Sequence, residues 1–129
     1  MTEPPTDEAQ LHLIGEGEEL VVHRNVKSAD RASAALLESL RSNADLGRPP
    51  RAQERDYPLI HSGISAWDRP EQAEANAQRF PALGDYVAVV RLDPASAARY
   101  YYWGSRPGHL TVWADPLMIL ERIVDILAL

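Results

Sequence analysis

The sequence predicts an α+β domain with a small mixed or antiparallel β-sheet of about five to six strands and two to three helices. Short β-branched segments alternate with segments of helical periodicity. Residues 57–93 have the pattern of a strand, a helix and a second strand, and a length of 129 residues is typical of one domain. We therefore expect a single domain over residues 11–129, preceded by a disordered acidic tail over residues 1–10.

The composition excludes several kinds of site. The chain has no cysteine, so disulfides, thiolate metal sites and a cysteine nucleophile are all excluded. The first ten residues lack the positive and apolar segments of a signal peptide, and no apolar stretch approaches the roughly 18 residues of a membrane span. We therefore expect a cytoplasmic protein that makes no contact with a membrane.

The net charge of −6 is unevenly distributed along the chain. The first twenty residues contain six acids and no base, whereas the remaining 109 residues contain thirteen of each. Because the predicted folded body is close to neutral, its charge argues against nucleic-acid binding.

The first predicted elements precede residue 42. Residues 11–14 form a short apolar segment, which favours either an edge strand or a segment that docks late in folding. Residues 20–26 are rich in β-branched side chains and predict a strand. Asp30 is a suitable N-cap for a helix that extends to about Arg41, with leucines at helical spacing.

Residues 42–56 form the longest predicted loop. Gly47, Pro49 and Pro50 exclude regular structure in this segment. Loops of this length are uncommon in small domains and often carry function. The segment is therefore either a flexible connector or a functional loop.

Two strands frame the best-defined part of the chain. Residues 57–67 are predicted to be extended, and Gly63 within them permits a bulge or a close backbone approach. Residues 86–92 are almost continuously apolar, which predicts a strand in the interior of the sheet.

A helix is predicted between these two strands. Asp68 followed by Pro70 is typical of a capped helix start. Ala73, Ala77 and Phe80 recur at helical spacing and predict the face that packs on the sheet.

The C-terminal part predicts two further strands, at residues 99–103 and 109–113, and a helix that begins at the Asp-Pro pair of residues 115–116. The end of the chain has two interpretations. One helix extends to Leu127, or a short helix is followed by a strand over residues 122–127. The β-branched side chains of this segment favour the second interpretation.

Strong catalytic motifs are absent from the sequence, including G-x-S-x-G, H-E-x-x-H, the P-loop and G-x-G-x-x-G. The four histidines lie in different predicted elements without the spacing of metal ligands, so we expect no metal site. His23 and His61 are interpreted as hydrogen-bonded sheet residues, or one of them as a hydrogen-bonding residue of a site.

Aromatic and basic side chains are the candidate binding groups. Residues 100–103 place four aromatic side chains on alternating faces of a strand, Tyr102 among them. They form either a packed strand or a platform that stacks a base or a nicotinamide ring. Arg48, Arg51 and Arg55 are either solvated surface residues or ligands of a pyrophosphate.

Arg24 interrupts an otherwise apolar strand. Side-chain alternation places Arg24 and His23 on opposite faces of the sheet. Arg24 is either a solvated residue of an edge strand or an arginine that points into a cleft. In a cleft it requires an anionic partner, which is either an internal acid or a ligand.

The order of these elements, with the motifs VVHRNV and HSGISAW, resembles the ADP-ribosyltransferase-like superfamily. The resemblance implies a domain that binds or acts on NAD or a related nucleotide. It implies that Arg24 anchors a phosphate or ribose, with His23 as the alternative, and that Ser65 supports the NAD pocket. Residues 42–56 would border that pocket.

The resemblance is incomplete at the last motif strand, where transferases of this superfamily usually carry a glutamate. The segment HLTVW offers only His109 and Thr111, so transferase activity is left open. The candidate catalytic residues are Arg24, Ser65 and His109. The expected contacts to the nucleotide are His23, Arg48, Arg51, His61, Gly63, Trp67 and Tyr102.

The alternative is a non-catalytic interaction or regulatory domain that binds a protein partner or forms a homo-oligomer. The aromatic strand and the very apolar C-terminal segment favour this function. The order of the elements gives slightly more weight to the nucleotide-binding hypothesis.

Overall fold

The computed structural model describes residues 2–129. Its strands are β1 (His12–Leu13), β2 (Leu20–Val26), β3 (Ile64–Trp67), β4 (Tyr86–Leu92), β5 (Arg99–Tyr102), β6 (His109–Trp113) and β7 (Ile123–Ala128). They form one open sheet in the order β1-β5-β6-β3-β2-β4-β7, and all neighbours are antiparallel. This sheet has more strands than the predicted five to six.

The described residues also contain α1 (Ala34–Ser39), α2 (Pro58–His61), α3 (Pro70–Arg79) and α4 (Pro116–Glu121). The predicted α+β class is thus confirmed, with more helices than the two to three expected. None of the helices in residues 2–129 combines the length and apolar character that crossing a membrane requires.

Side-chain alternation gives the sheet two faces, and helices cover both. On one face the main core packs strand residues such as Val90 against Leu36 of α1 and Ile119 of α4. On the other face Trp67 of β3 packs near Ala73 of α3. Strand β4 contributes to both cores, which explains its almost continuous apolar sequence.

The sequence predicts one extended segment over residues 57–67, and this prediction is wrong. Pro58 opens the short helix α2, because the fixed φ of proline suits the first helical turn. Strand β3 begins only at Ile64. Gly63 joins the two elements at a crowded point, since a Cβ there would collide with Thr111 and Trp113.

Helix α3 differs from its prediction at both ends. The N–H of Asp68 donates to the carbonyl of Gly108 at 3.0 Å, so Asp68 continues the pairing of β3 with β6 and does not cap the helix. The N-cap is Arg69, which makes no side-chain cap hydrogen bond. Both alanines of the predicted face are buried, whereas Phe80 leaves the helical path and is 56% exposed.

The remaining boundaries follow from local capping. Helix α1 is shorter than predicted because its N-cap is Ser33, whose Oγ accepts a hydrogen bond from the N–H of Ala35 at 3.1 Å. Asp30 caps the preceding turn instead. At the end of the chain the second interpretation is confirmed, since α4 ends at Glu121 and β7 pairs with β4.

Residues 2–10 have a defined structure where the composition predicts a disordered tail. The N–H of Gly104 donates to the carbonyl of Thr2 at 2.9 Å, which ties the segment to the turn after β5. Pro4 and Pro5 are buried. Proline rings add apolar surface without an N–H that needs a partner, so this short polar segment can dock.

Strands β2 and β3 are joined by one residue pair, His23 with Trp67. By contrast, seven pairs join β2 to β4 and four join β3 to β6. The sheet therefore consists of two half-sheets, β1-β5-β6-β3 and β2-β4-β7, that meet at a single pair. Beyond that pair the two strands border a cleft.

Candidate functional site

The cleft between β2 and β3 is a cavity of about 580 Å³, which we call the central cavity. Arg24 and Asn25 of β2 line one side, and Ile64 and Ser65 line the other. A cavity of about 260 Å³ adjoins it around Arg24, and one of about 270 Å³ adjoins it on the side of β6. We call the three cavities together the groove.

Arg24 spans the break between the two half-sheets. Its Nε donates to the carbonyl of Ser39 at 3.0 Å, and its Nη1 donates to the carbonyl of Ser65 at 2.7 Å. Among residues 2–129, no carboxylate lies within 4.0 Å of its guanidinium. Two of its five N–H donors are thus used, and the others are free to contact an anion in the groove.

Burial lowers the pKa of Arg24 to about 10, because the charged form loses hydration. The guanidinium is still protonated at neutral pH. The site therefore holds a positive charge that the described part of the chain does not neutralise.

Ser65, whose carbonyl accepts from Arg24, forms a hydrogen-bonded pair with His109. Nδ1 of His109 lies 2.9 Å from the carbonyl of Trp103, and Nε2 lies 3.2 Å from Oγ of Ser65. A carbonyl can only accept, so Nδ1 carries the proton and Nε2 accepts from the serine hydroxyl. Burial lowers the pKa of His109, and the hydrogen bond to Trp103 opposes this only in part. The ring is therefore a neutral base at neutral pH.

Two tryptophans surround this histidine. The ring centroids of Trp67 and Trp103 lie 5.0 Å and 4.7 Å from that of His109, both edge to face. Nε1 of Trp103 donates to Oγ1 of Thr111 at 2.8 Å, which fixes the indole where the central cavity meets its neighbour. Trp103 thus lines the central cavity together with Phe80, whereas the predicted Tyr102 does not.

The loop over residues 42–56 contributes an acid that the sequence interpretation missed. Glu54 accepts hydrogen bonds from Nδ2 of Asn43 at 3.1 Å and from the N–H of Arg51 at 3.0 Å. Nδ1 of His61 lies 3.2 Å from the same carboxylate, and both side chains are mostly buried. Within residues 2–129, Glu54 is the one carboxylate that lines the central cavity. The only signal for it in the sequence is the length of this loop.

The groove is rich in positive charge. Acids that line it are limited, within residues 2–129, to Glu38 and Glu54. Two of its bases are paired, Arg41 with Asp45 at 2.8 Å and Arg48 with Glu38 at 3.3 Å. The bases that line it are Arg24, Lys27, Arg41, Arg48, Arg51, Arg79 and Arg106.

Most of the predicted site residues meet in this groove. Those of the central cavity are Arg24, Arg48, Arg51, Gly63 and Ser65. Those of the cavity beside β6 are Trp67 and His109.

Three predicted residues do not line the groove. His23 is 6% exposed, and its Nδ1 lies 3.1 Å from the carbonyl of Trp67 under α3, so it holds the junction of the half-sheets. His61 contacts the carboxylate of Glu54, and it is Glu54 and not His61 that lines the central cavity. Tyr102 shares the opposite face of the sheet with Tyr100 and contacts it edge to face.

No group of three or more metal-ligating side chains occurs in residues 2–129. Comparisons of the chain with protein-family models, with curated proteins and with solved structures find no significant match. The chemistry of the groove is therefore the basis for a functional proposal.

Proposed function

We propose that this chain is an ADP-ribosyltransferase-like protein that binds NAD or a related nucleotide in the central cavity. The observation that carries this proposal is the guanidinium of Arg24, which is held by two backbone carbonyls and has no carboxylate partner among residues 2–129. An arginine fixed in this way suits a phosphate, because its planar fork matches phosphate oxygens.

The residues present fit the parts of such a nucleotide. Arg24 and Arg51 supply cations for a pyrophosphate, and the carboxylate of Glu54 can accept hydrogen bonds from ribose hydroxyls. The indole of Trp103 offers an aromatic surface for a base or a nicotinamide ring. The volume of about 580 Å³ lies within the range of small-molecule pockets, about 300–1,000 Å³.

Bound NAD would supply a ribosyl group with nicotinamide as the leaving group. Arg24 would hold the phosphates, and Glu54 would orient the ribose and stabilise positive charge that develops on it. His109 can take up a proton at Nε2, because its ring is neutral and its Nδ1 proton is held by Trp103. Transferases of the superfamily usually carry a glutamate on the last motif strand, here β6, which lacks one. Glu54 is the candidate to take its place.

Calorimetric titration with NAD, ADP-ribose, ADP and nicotinamide mononucleotide tests the binding. We expect Arg24→Gln to weaken NAD binding at least about tenfold, because a charge-assisted contact to phosphate is lost. The matched control is Arg99→Gln, which removes an exposed arginine of β5 that does not line the groove. This control should bind as the wild type does.

Release of nicotinamide from NAD separates binding from turnover. If the chain is a transferase, Glu54→Gln should retain NAD binding and lower the release rate about 100-fold. A wild-type protein that binds no nicotinamide or adenine nucleotide would refute the proposed function.

A further inference from the structure

The fold collects positive charge that is scattered in the sequence. Seven of the thirteen bases of the chain line the groove, whereas only two of its nineteen acids do. These bases come from the end of β2, the end of α1, the long loop, the end of α3 and the turn before β6. None of the six acids in the first twenty residues lines the groove, so the acidic charge of the chain lies elsewhere.

This charge exceeds what one nucleotide needs. Apart from Arg24, four bases of the groove have no carboxylate within 4.0 Å among residues 2–129, namely Lys27, Arg51, Arg79 and Arg106. A pyrophosphate carries about two negative charges, and Arg24 with Arg51 already matches it. The remaining cations line the two outer cavities: Lys27 lines the cavity around Arg24, and Arg79 and Arg106 line the cavity beside β6.

Aromatic side chains lie between these cations. Phe80 is 56% exposed and lines both the central cavity and the cavity beside β6. Trp103 lines the same two cavities. A positive groove interleaved with aromatic rings is the arrangement that binds single strands, because phosphates follow the cations and bases stack on the rings. A duplex keeps its bases paired and stacked on one another, so it cannot stack them on these two rings.

We propose that the groove binds a single-stranded nucleic acid, whose phosphates contact Lys27, Arg79 and Arg106 and whose bases stack on Phe80 and Trp103. The near-neutral net charge of the folded body led us to expect no nucleic-acid binding. The local positive charge of the groove is what favours it here, because the charges near a ligand matter more than the net charge of the chain. The proposal does not depend on NAD binding, since Lys27, Arg79, Arg106 and Phe80 take no part in the proposed nucleotide site.

Fluorescence anisotropy with labelled oligo-dT and oligo-U of about 12 nucleotides tests the proposal, because single-strand sites span about 4–16 nucleotides. The affinity is measured from about 50 to about 200 mM salt, without NAD. For three phosphate contacts we expect log K to fall against log salt with a slope of about −2, since each contributes about −0.7.

The variants separate the contribution of charge from that of stacking. Arg79→Gln with Arg106→Gln should weaken binding and reduce the slope by about 1.4. Phe80→Ala should weaken binding about tenfold and leave the slope unchanged, because stacking releases no counterions. The matched control is Arg91→Gln with Arg99→Gln, two exposed arginines outside the groove, which should leave affinity and slope near the wild-type values.

Four results would overturn the proposal: no strand binding at the lowest salt, equal loss in the control double variant, equal affinity for a duplex of the same length, or tighter binding of a poly-glutamate peptide. Circular dichroism and urea unfolding confirm that each variant is folded. The NAD titration of Arg24→Gln is a separate measurement, so failure here and failure of the proposed function are distinguishable.

Discussion

Burial affects Arg24 and His109 in the same direction but with different consequences. It lowers the pKa of both groups, because a charged base is less favourable away from water. Arg24 has a pKa of about 10 and is still a cation at neutral pH. His109 begins near the physiological range, so a lowered pKa leaves it neutral. Ser65 thus contacts a permanent positive charge through its carbonyl and a neutral base through its hydroxyl.

The pKa of His109 makes stability depend on pH in a defined direction. The folded chain binds the proton of His109 less readily than the unfolded chain, whose histidines titrate near about 6.5. The neutral ring therefore contributes stability above that value, and this stability is lost as the pH falls towards the folded-state pKa and below it. We expect the free energy of unfolding in urea to decrease between about pH 7 and about pH 5, by at most about 1.4 kcal/mol per pH unit from this group.

His109→Gln should remove this part of the pH dependence, whereas His12→Gln, at an exposed histidine, should retain it. The imidazole of His109 can also be titrated directly by NMR. A midpoint at or above that of an unfolded histidine would contradict the prediction.

Some residues of the candidate site could be selected from the sequence, but their contacts with one another could not. Arg24 and Ser65 could be selected from the sequence because a basic residue interrupts an apolar strand and a short motif surrounds the serine. Glu54 could not be selected, because its role depends on contacts with His61 and Asn43 that exist only after the loop has folded. The same holds for Trp103, whose indole is aimed by Thr111.

At the scale of elements, a helix cap predicted from the local sequence is found where the same residue is not also paired with another strand or turn. Asp115 caps α4, since its Oδ1 accepts from the N–H of Leu117 at 2.8 Å and Pro116 occupies the first turn. Asp68 has an equally suitable local sequence, yet it is drawn into the pairing of β3 with β6 through Gly108. Strand pairing overrides a local cap there, and a single sequence gives no sign of this.

Asp115→Ala should lower the free energy of unfolding by about 1 kcal/mol, because the first turn of α4 loses its side-chain acceptor. Asp115→Asn retains an acceptor of the same shape and should stay within about 0.5 kcal/mol of the wild type. Urea unfolding followed by circular dichroism measures both. Equal losses in the two variants would show that charge, and not the cap, is responsible.

At the scale of the whole molecule, the N-terminal segment is part of the folded body. The pairing of Thr2 with Gly104 and the burial of Pro4 and Pro5 attach residues 2–10 to the turn between β5 and β6. That turn also carries Arg106 and precedes His109. The composition of the segment predicts disorder. Its docking could not be predicted from the composition, because the surface on which it docks is assembled from residues that are distant in the sequence.

Removal of residues 1–10 should lower the free energy of unfolding by about 1–3 kcal/mol, because buried proline rings and backbone hydrogen bonds are lost. The urea midpoint of the shortened chain, compared with that of the full chain, measures this. Replacement of residues 6–10 alone by a Gly-Ser segment is the control, and it should have a smaller effect. An unchanged midpoint in the shortened chain would contradict the docked segment.

The single pair between His23 and Trp67 has a mechanical consequence. Among residues 2–129, the hydrogen bonds that join β2 directly to β3 are limited to that pair and the side chains of His23 and Arg24. A molecule bound between the strands would contact both of them where the hydrogen-bond ladder is missing. Occupancy of the cleft and stiffness of the sheet would therefore be coupled, because a ligand there would add contacts where the empty protein has only the shared core, one residue pair and the side chains of His23 and Arg24.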